Sequence, residues 1–329
     1  MHEILILIII LAVVFDVANG WHDCANAIAT VVSTKVLSPT SAVVLAAGMN
    51  ILGAFLSTAV AKTVGTGIVD PKAVTDMVIV SALLSAILWN IMTILVGLPV
   101  SSSHALFGGI AGAAMAYGGT GILNVDGIIK ILTSLLISPV FGIVFGYLFM
   151  KLILRLFGRL SPGAVSKYFG RLQIISSSFM AFGHGSNDAQ KAMGIITMAL
   201  VSGGVLKSVD VPKWVILICA VAMGFGTLFG GWKIIKTLGH KMLKLEPIHG
   251  FAAETASTGI IIAASHWGLP VSTTHVVSTA ILGVGATKRL SAVRWGIAGK
   301  IVLAWVLTLP VCIVMAWGIQ TLLVRYHLG

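Results

Sequence analysis

Two of the ten acidic residues in this 329-residue chain stand in near-copies of one motif. Asn19-Gly20-Trp21-His22-Asp23-Cys24-Ala25-Asn26-Ala27-Ile28 aligns with His184-Gly185-Ser186-Asn187-Asp188-Ala189-Gln190-Lys191-Ala192-Met193, offset by 165 residues. Each copy follows an apolar run, 4–15 in the first case and 172–187 in the second. A carboxylate inside an apolar membrane segment is costly and by default marks an ion or substrate path. An acid that merely caps a helix in an interfacial loop would not be expected to recur at the same place in both halves. Gly20 and Gly185 suit a break in the helix, because glycine tolerates non-helical backbone. Asn26 and Asn187 add amides that can coordinate a cation or hydrogen-bond an anion.

A second pair follows at matched spacing. Pro99-Val100-Ser101-Ser102-Ser103-His104 aligns with Pro270-Val271-Ser272-Thr273-Thr274-His275, offset by 171 residues. Proline is favoured in the first helical turn, so each motif predicts a helix starting within the membrane. Its first N–H groups are unpaired and its dipole is positive at that end. With the hydroxyls of Ser101, Ser102 and Ser103, or of Ser272, Thr273 and Thr274, that makes an anion site. Ordinary Ser/Thr packing between helices explains either motif alone better; the pair favours the anion. Two such helix starts facing each other would hold a tetrahedral oxyanion. Asp23 and Asp188 beside it would repel it, so cations must fill the gap: sodium, protons on the acids, or a divalent ion bound with phosphate. Coupled movement of anion and cation is then required by charge balance.

The other polar residues carry weaker signals. Glu254 has Leu83 as its counterpart and is a further candidate for the cation; a helix-end acid near the headgroups is the equal alternative. Lys191, three residues after Asp188, either pairs with that acid along the helix or contacts the anion. Asp16, opposite Ala181, is expected to have a local role. His22, His104, His184 and His275 lie in the motifs, where packing or capping outweighs proton transfer. Cys24, Cys219 and Cys312 form no metal-type or disulfide pattern. The chain lacks the G-x-x-x-x-G-K-[ST] pattern of a built-in ATPase, a nucleophile elbow and zinc spacing. No enzyme activity, cofactor or fixed structural metal is expected.

Composition says what elements must position these groups. The chain is 57% hydrophobic and 9% charged, against about 25% charged residues in soluble domains. Residues 36–61, 77–125, 131–150, 214–232, 255–287 and 301–324 carry no Asp, Glu, Lys or Arg. A membrane-crossing helix needs roughly 20 apolar residues. These stretches predict an all-α integral membrane protein rather than a β-barrel, whose strands would alternate. The formal charge of +11 does not point to nucleic acid, because most of the bases fall in loops. Clusters at 151–171, 233–244 and 288–300, with Lys35, put fourteen of the 21 basic residues on one side, taken as cytoplasmic. Two crossings then separate the first two clusters, and about five passes make up each half. An odd number inverts one half relative to the other, with broken helices or re-entrant hairpins at the midplane, as in secondary transporters. The expected division is a first inverted repeat at 1–157, a basic cytoplasmic linker at 158–171 and a second repeat at 172–329. The N-terminus lacks the positive region of a cleaved signal peptide, and residues 4–15 are taken as part of the first membrane element.

The four motifs together resemble the inorganic phosphate transporter (Pit) family over about residues 1–322. The stretch from Asn19 to Thr30 resembles that family's first signature, and Phe182-Gly183-His184-Gly185-Ser186-Asn187-Asp188-Ala189-Gln190-Lys191 the second in its bacterial form. The Pro-Val-Ser motifs are similar to the remaining signatures. The resemblance implies a phosphate symporter of the plasma membrane, an inverted repeat and both termini outside. It implies a phosphate site made of Asp23, Asn26, Ser101, Ser102, Ser103, Asn187, Asp188, Ser272, Thr273 and Thr274. Asp23, Asn26, Asn187 and Asp188 would also hold the coupling cation, with Glu254 as a further group and Lys191 as an anion contact. Bacterial members resemble carriers of phosphate with protons, or of neutral metal-phosphate; others use sodium, and some relatives carry sulfate. Cys24 departs from the small hydroxyl or aliphatic residue usual there, and the chain lacks a large central soluble domain. Sulfate permease is the alternative, followed by a channel or a non-transporting membrane scaffold. The expected partners are phosphate, the cation and the lipid bilayer, with a homodimer as an open assembly.

Overall fold

Serine and proline start the helices here. Ser38 accepts a hydrogen bond from Ser41 N, and Ser161 one from Ala164 N, each just before a proline that opens a helix. A computed structural model describes residues 2–326. The first half holds α1 (His2–Ser33), α2 (Pro39–Ala54), α3 (Ala59–Thr66), α4 (Asp76–Val96), α5 (Ser102–Gly118) and α6 (Val125–Phe157). The second holds α7 (Pro162–Ser202), α8 (Lys213–Leu228), α9 (Trp232–Lys236), α10 (Pro247–His266), α11 (Thr273–Lys288) and α12 (Trp295–Arg325). One π turn, Thr237–Lys241, continues α9. The architecture is all-α; an isolated bridge between Val69 and Leu123 is the only β pairing among the described residues.

The two halves repeat one order of elements. Each begins with a long helix, turns through a bent pair, and ends in a long helix with an internal proline, Pro139 or Pro310. The bend is 75° between α2 and α3 and 62° between α8 and the α9 segment. The halves also exchange partners reciprocally. Helix α1 packs on α8 as α7 packs on α2, and α5 packs on α12 as α11 packs on α6. Residues 162–171, part of the expected linker, lie inside α7.

Both motif acids sit in unbroken helices, against the expectation of a break at each. Helix α1 runs through Gly20 and Asp23, and α7 through Gly185 and Asp188. The glycines serve close approach instead. A Cβ on Gly20 would strike the Met223 carbonyl of α8, and one on Gly185 the Asn50 carbonyl of α2. Gly226 and Gly53 return the contact against Val17 and Phe182. Small residues let membrane helices pack backbone to backbone.

Among the described residues, four helices are long and apolar enough to cross a membrane: α1, α4, α6 and α12; counting each bent pair as one span gives six. Exposed Leu136, Val140 and Phe145 on α6 and Val306 and Val314 on α12 suit a lipid-facing surface. The expected total of about ten passes is not reached by length and composition. Helices α5 and α11, at 17 and 16 residues, are short. Helix α7 is the longest, at 41 residues, but its central stretch carries His184, Asn187, Asp188 and Lys191, all buried within the protein.

Candidate functional site

The starts of α5 and α11 come first, because their local chemistry is legible. Ser101 and Ser272 are the N-caps, each accepting from the backbone N–H of the histidine three residues on, at 3.2 Å. Pro99 and Pro270 therefore stand two residues ahead of the caps, not in the first turn as expected. Their role is to hold extended backbone into the start, since a proline fixes its own φ and disfavours helix in the residue before it. The cap hydroxyls are committed to their own helices. The next hydroxyls, on Ser102, Thr273 and Thr274, are the ones that reach across.

They reach the two acids. Ser102 Oγ donates to Asp23 Oδ2 at 2.9 Å, and Thr274 Oγ1 to Asp23 Oδ1 at 3.1 Å. Thr273 Oγ1 donates to Asp188 Oδ2 at 3.2 Å. Asn26 Nδ2 lies 2.9 Å from Thr274 Oγ1 and 3.3 Å from Thr273 Oγ1. Ser103 Oγ bonds the Val271 carbonyl at 3.2 Å, tying one helix start to the strand of backbone that leads into the other. Asn187 Nδ2 turns to Ser265 Oγ at 3.1 Å and the Leu269 carbonyl at 3.4 Å, leaving its Oδ1 unpartnered. The four motifs thus meet in one buried cluster.

Lys191 is part of it. Its ammonium lies 3.0 Å from Asp188 Oδ2 and donates to Ser102 Oγ at 3.0 Å. This is the pairing with the acid along the helix, and it also brings the ammonium to the start of α5. With both carboxylates and the ammonium ionised, the cluster carries one net negative charge, in a region where none of these side chains exceeds 2% exposure.

Two histidines join the acids, where packing or capping had been the favoured reading. His22 Nδ1 lies 2.7 Å from Asp23 Oδ1. His184 Nε2 lies 3.3 Å from Asp188 Oδ2. A chain of donors sets the tautomer of His184. Thr227 Oγ1 donates to the Met223 carbonyl, so its oxygen accepts from Asn50 Nδ2; that turns Asn50 Oδ1 toward His184 Nδ1 at 3.0 Å, which must donate. In a neutral ring Nε2 is then a lone pair facing a carboxylate, an arrangement that calls for a proton or a cation between them. Asp23, His184 and Asp188 each offer a ligand atom within 4.8 Å of the others. The signal for His184 was present in the sequence as the i, i+4 spacing to Asp188; Asn50, Ser265 and Thr227 lie outside every motif and carried none.

Glu254 stands apart. It accepts from Thr30 Oγ1 at 2.5 Å and Gln173 Nε2 at 3.0 Å through Oε1, and from Ser176 through Oε2. Thr30 is seven residues beyond Asp23 on α1, about 10 Å at 1.5 Å per residue. Glu254 is a fully bonded second station and not a member of the central cluster. His104 and His275 stack edge to face, with ring centroids 4.8 Å apart.

A family profile described as "Phosphate transporter family" matches residues 19–316. A Bacillus subtilis protein named "Probable low-affinity inorganic phosphate transporter" is 49% identical over 309 residues, covering 93% of each chain. A Rhizobium meliloti protein of the same name is 48% identical, covering 93% of this chain and 92% of its own. A solved structure titled "The sodium-dependent phosphate transporter" superposes with a TM-score of 0.90 at 25% identity, covering 98% of this chain and 99% of that one. The sulfate alternative gains no support from these relatives, all named for phosphate.

Proposed function

The chain belongs to the phosphate transporter family, and from that premise we propose that it is a secondary active symporter. It moves inorganic phosphate across the cytoplasmic membrane with protons or sodium, or as a neutral metal-phosphate. The single observation that carries this reading is the convergence of two hydroxyl-rich helix starts on Asp23 and Asp188. The first-turn N–H groups and hydroxyls of α5 and α11 are the anion's donors. Lys191 swings from Asp188 to the phosphate as it enters. The net negative charge of the acids is balanced by a cation at Asp23, His184 and Asp188, with Asn26 and the free Oδ1 of Asn187 as neighbouring oxygens.

Coupling follows from the charges. Phosphate alone would sit beside two carboxylates; cation alone would leave the helix starts and Lys191 without their anion. Only the doubly loaded or empty site is favourable to move through the bilayer. Glu254, on α10 and bonded to Thr30 on the same face of α1 as Asp23, is a second cation group along the path. The repeated element order and reciprocal packing support two inverted repeats, with the N-terminus and C-terminus outside and the basic clusters inside.

The test is uptake of labelled phosphate and labelled sulfate into proteoliposomes, with sodium and proton gradients imposed separately. Phosphate accumulation under one gradient and none of sulfate is the expected result. Uptake that neither saturates nor responds to either gradient would make the protein a channel and end this reading.

A further inference from the structure

Asp16 is the buried carboxylate that belongs neither to the central cluster nor to the bonded station at Glu254. It sits at 0% exposure on α1, and neither of its oxygens has a hydrogen-bond partner. Asn19, one turn on, is equally buried, and both atoms of its amide are also without a partner. Among the four acids buried in the described residues, the contrast is clear. Asp23 and Glu254 have donors at both oxygens, and Asp188 has them at one. A carboxylate shut off from solvent, with no donor within reach but the Asn19 amide beside it, cannot be left as a bare anion.

Its surroundings select the occupant. A metal ion such as sodium needs five or six oxygens, and α1 offers Asp16 and the Asn19 amide; the helix carbonyls are committed to the helix. A proton needs one. The charged and titratable groups that act on Asp16 are Asp188 and Lys191 from α7, and Cys219 faces it from α8. Helix α4 contributes only Asp76, in its first turn, and α2 has no titratable residue. Asp188 and Lys191 are the two groups whose pairing changes when an anion takes the ammonium. Asp16 therefore feels the loading of the central site without touching the substrate.

The spacing gives it a place on a path. Asp16, Asp23 and Thr30, which holds Glu254, are seven residues apart along α1. Seven residues is two turns, so all three lie on one face, about 10 Å apart. The counterpart of Asp16 is Ala181 and that of Glu254 is Leu83, so both flanking acids lack a twin in the other half.

We propose that Asp16, with Asn19 beside it, is the proton-carrying group between the central cluster and the N-terminal end of α1. The proposal deepens the symport reading and rests on it. Asp16 takes up its proton when phosphate draws the ammonium away and unmasks the charge of Asp188, and gives it up when phosphate leaves and Lys191 neutralises Asp188 again.

The test uses purified full-length protein in proteoliposomes, with labelled phosphate and a pH dye in the lumen. Asp16→Asn is a permanent stand-in for the protonated acid. It should keep phosphate–phosphate exchange at the wild-type level but lose both phosphate-dependent lumen acidification and accumulation driven by an inward proton gradient. Asp16→Glu should restore acidification with a shifted pH profile, and it carries the test if the asparagine variant fails to fold; an unshifted profile then overturns the proposal. Wild-type acidification in a folded Asp16→Asn protein overturns it, as does loss of exchange in that variant at an unchanged melting temperature. So does accumulation driven by a sodium gradient alone that Asp16→Asn leaves intact. Wild-type protein that exchanges no phosphate would instead sink the transport reading, and this inference with it.

Discussion

Asp23 is bonded by hydroxyls from both halves and Asp188 by one from its own, so each acid reports on a helix start that is distant in sequence. Replacing both with alanine should abolish coupled phosphate uptake while leaving expression and membrane insertion intact. Undiminished uptake by the Asp23→Ala, Asp188→Ala protein would remove them from the site. Lys191 makes a separable prediction. A charge-assisted hydrogen bond to an anion contributes about 1.5–3 kcal/mol, and every 1.4 kcal/mol is tenfold in affinity. Lys191→Met should raise the half-saturating phosphate concentration by roughly tenfold or more, read from initial uptake rates. An unchanged value would leave Lys191 as a structural partner of Asp188.

At the scale of elements, the helix starts and the unbroken helices do different work. Helices α1 and α7 are rigid posts that carry the acids; α5 and α11 bring donors to them. Ser101 and Ser272 serve as caps, so Ser101→Ala and Ser272→Ala should each cost about 1 kcal/mol of stability, visible as a lower melting temperature in detergent. Equal loss from Ser103→Ala would show that capping is not the cause. Away from the membrane segments, Lys62 at the start of α3 donates to Asp210 Oδ1 at 2.7 Å, on the connection before α8. That bond, with help from the Ser208 hydroxyl, holds the Asp210 carboxyl below the usual carboxylate range. Its contribution is present above the ordinary carboxyl pKa and is lost as pH falls through the lowered value. Carboxyl NMR titration should find Asp210 depressed in the wild type and back near the usual range in Lys62→Met.

For the whole molecule, the reciprocal packing of α1 with α8 and α7 with α2 makes each half incomplete without the other. The proposed inverted arrangement predicts sidedness. Cys24, Cys219 and Cys312 are all buried, so the native background for thiol labelling is low. Cysteines placed at Lys167 and Lys236 should react with an impermeant maleimide only from the cytoplasmic face, and one at Lys72 only from outside. Equal labelling from both faces in intact cells would remove the topology.

Sequence alone determined the membrane class and the recurrence of two motifs in both halves. Long charge-free runs cannot be a soluble surface, and two motifs recurring at matched spacing leave little room for chance. It also placed the starts of α5 and α11 within the Pro-Val-Ser motifs, but put the prolines in the first turn where the serines cap it. What needed tertiary structure was everything decided by a distant neighbour. Gly20 and Gly185 looked like helix breaks, since a glycine's freedom is local while the carbonyls of Met223 and Asn50 that press on them are far away in the chain. His184 acquired its role from Asn50 and Thr227, and Glu254 its isolation from Thr30, Gln173 and Ser176. Asp16 was legible as an acid but not as an unpartnered one, because the absence of a donor is a property of the packed core and not of the residues beside it.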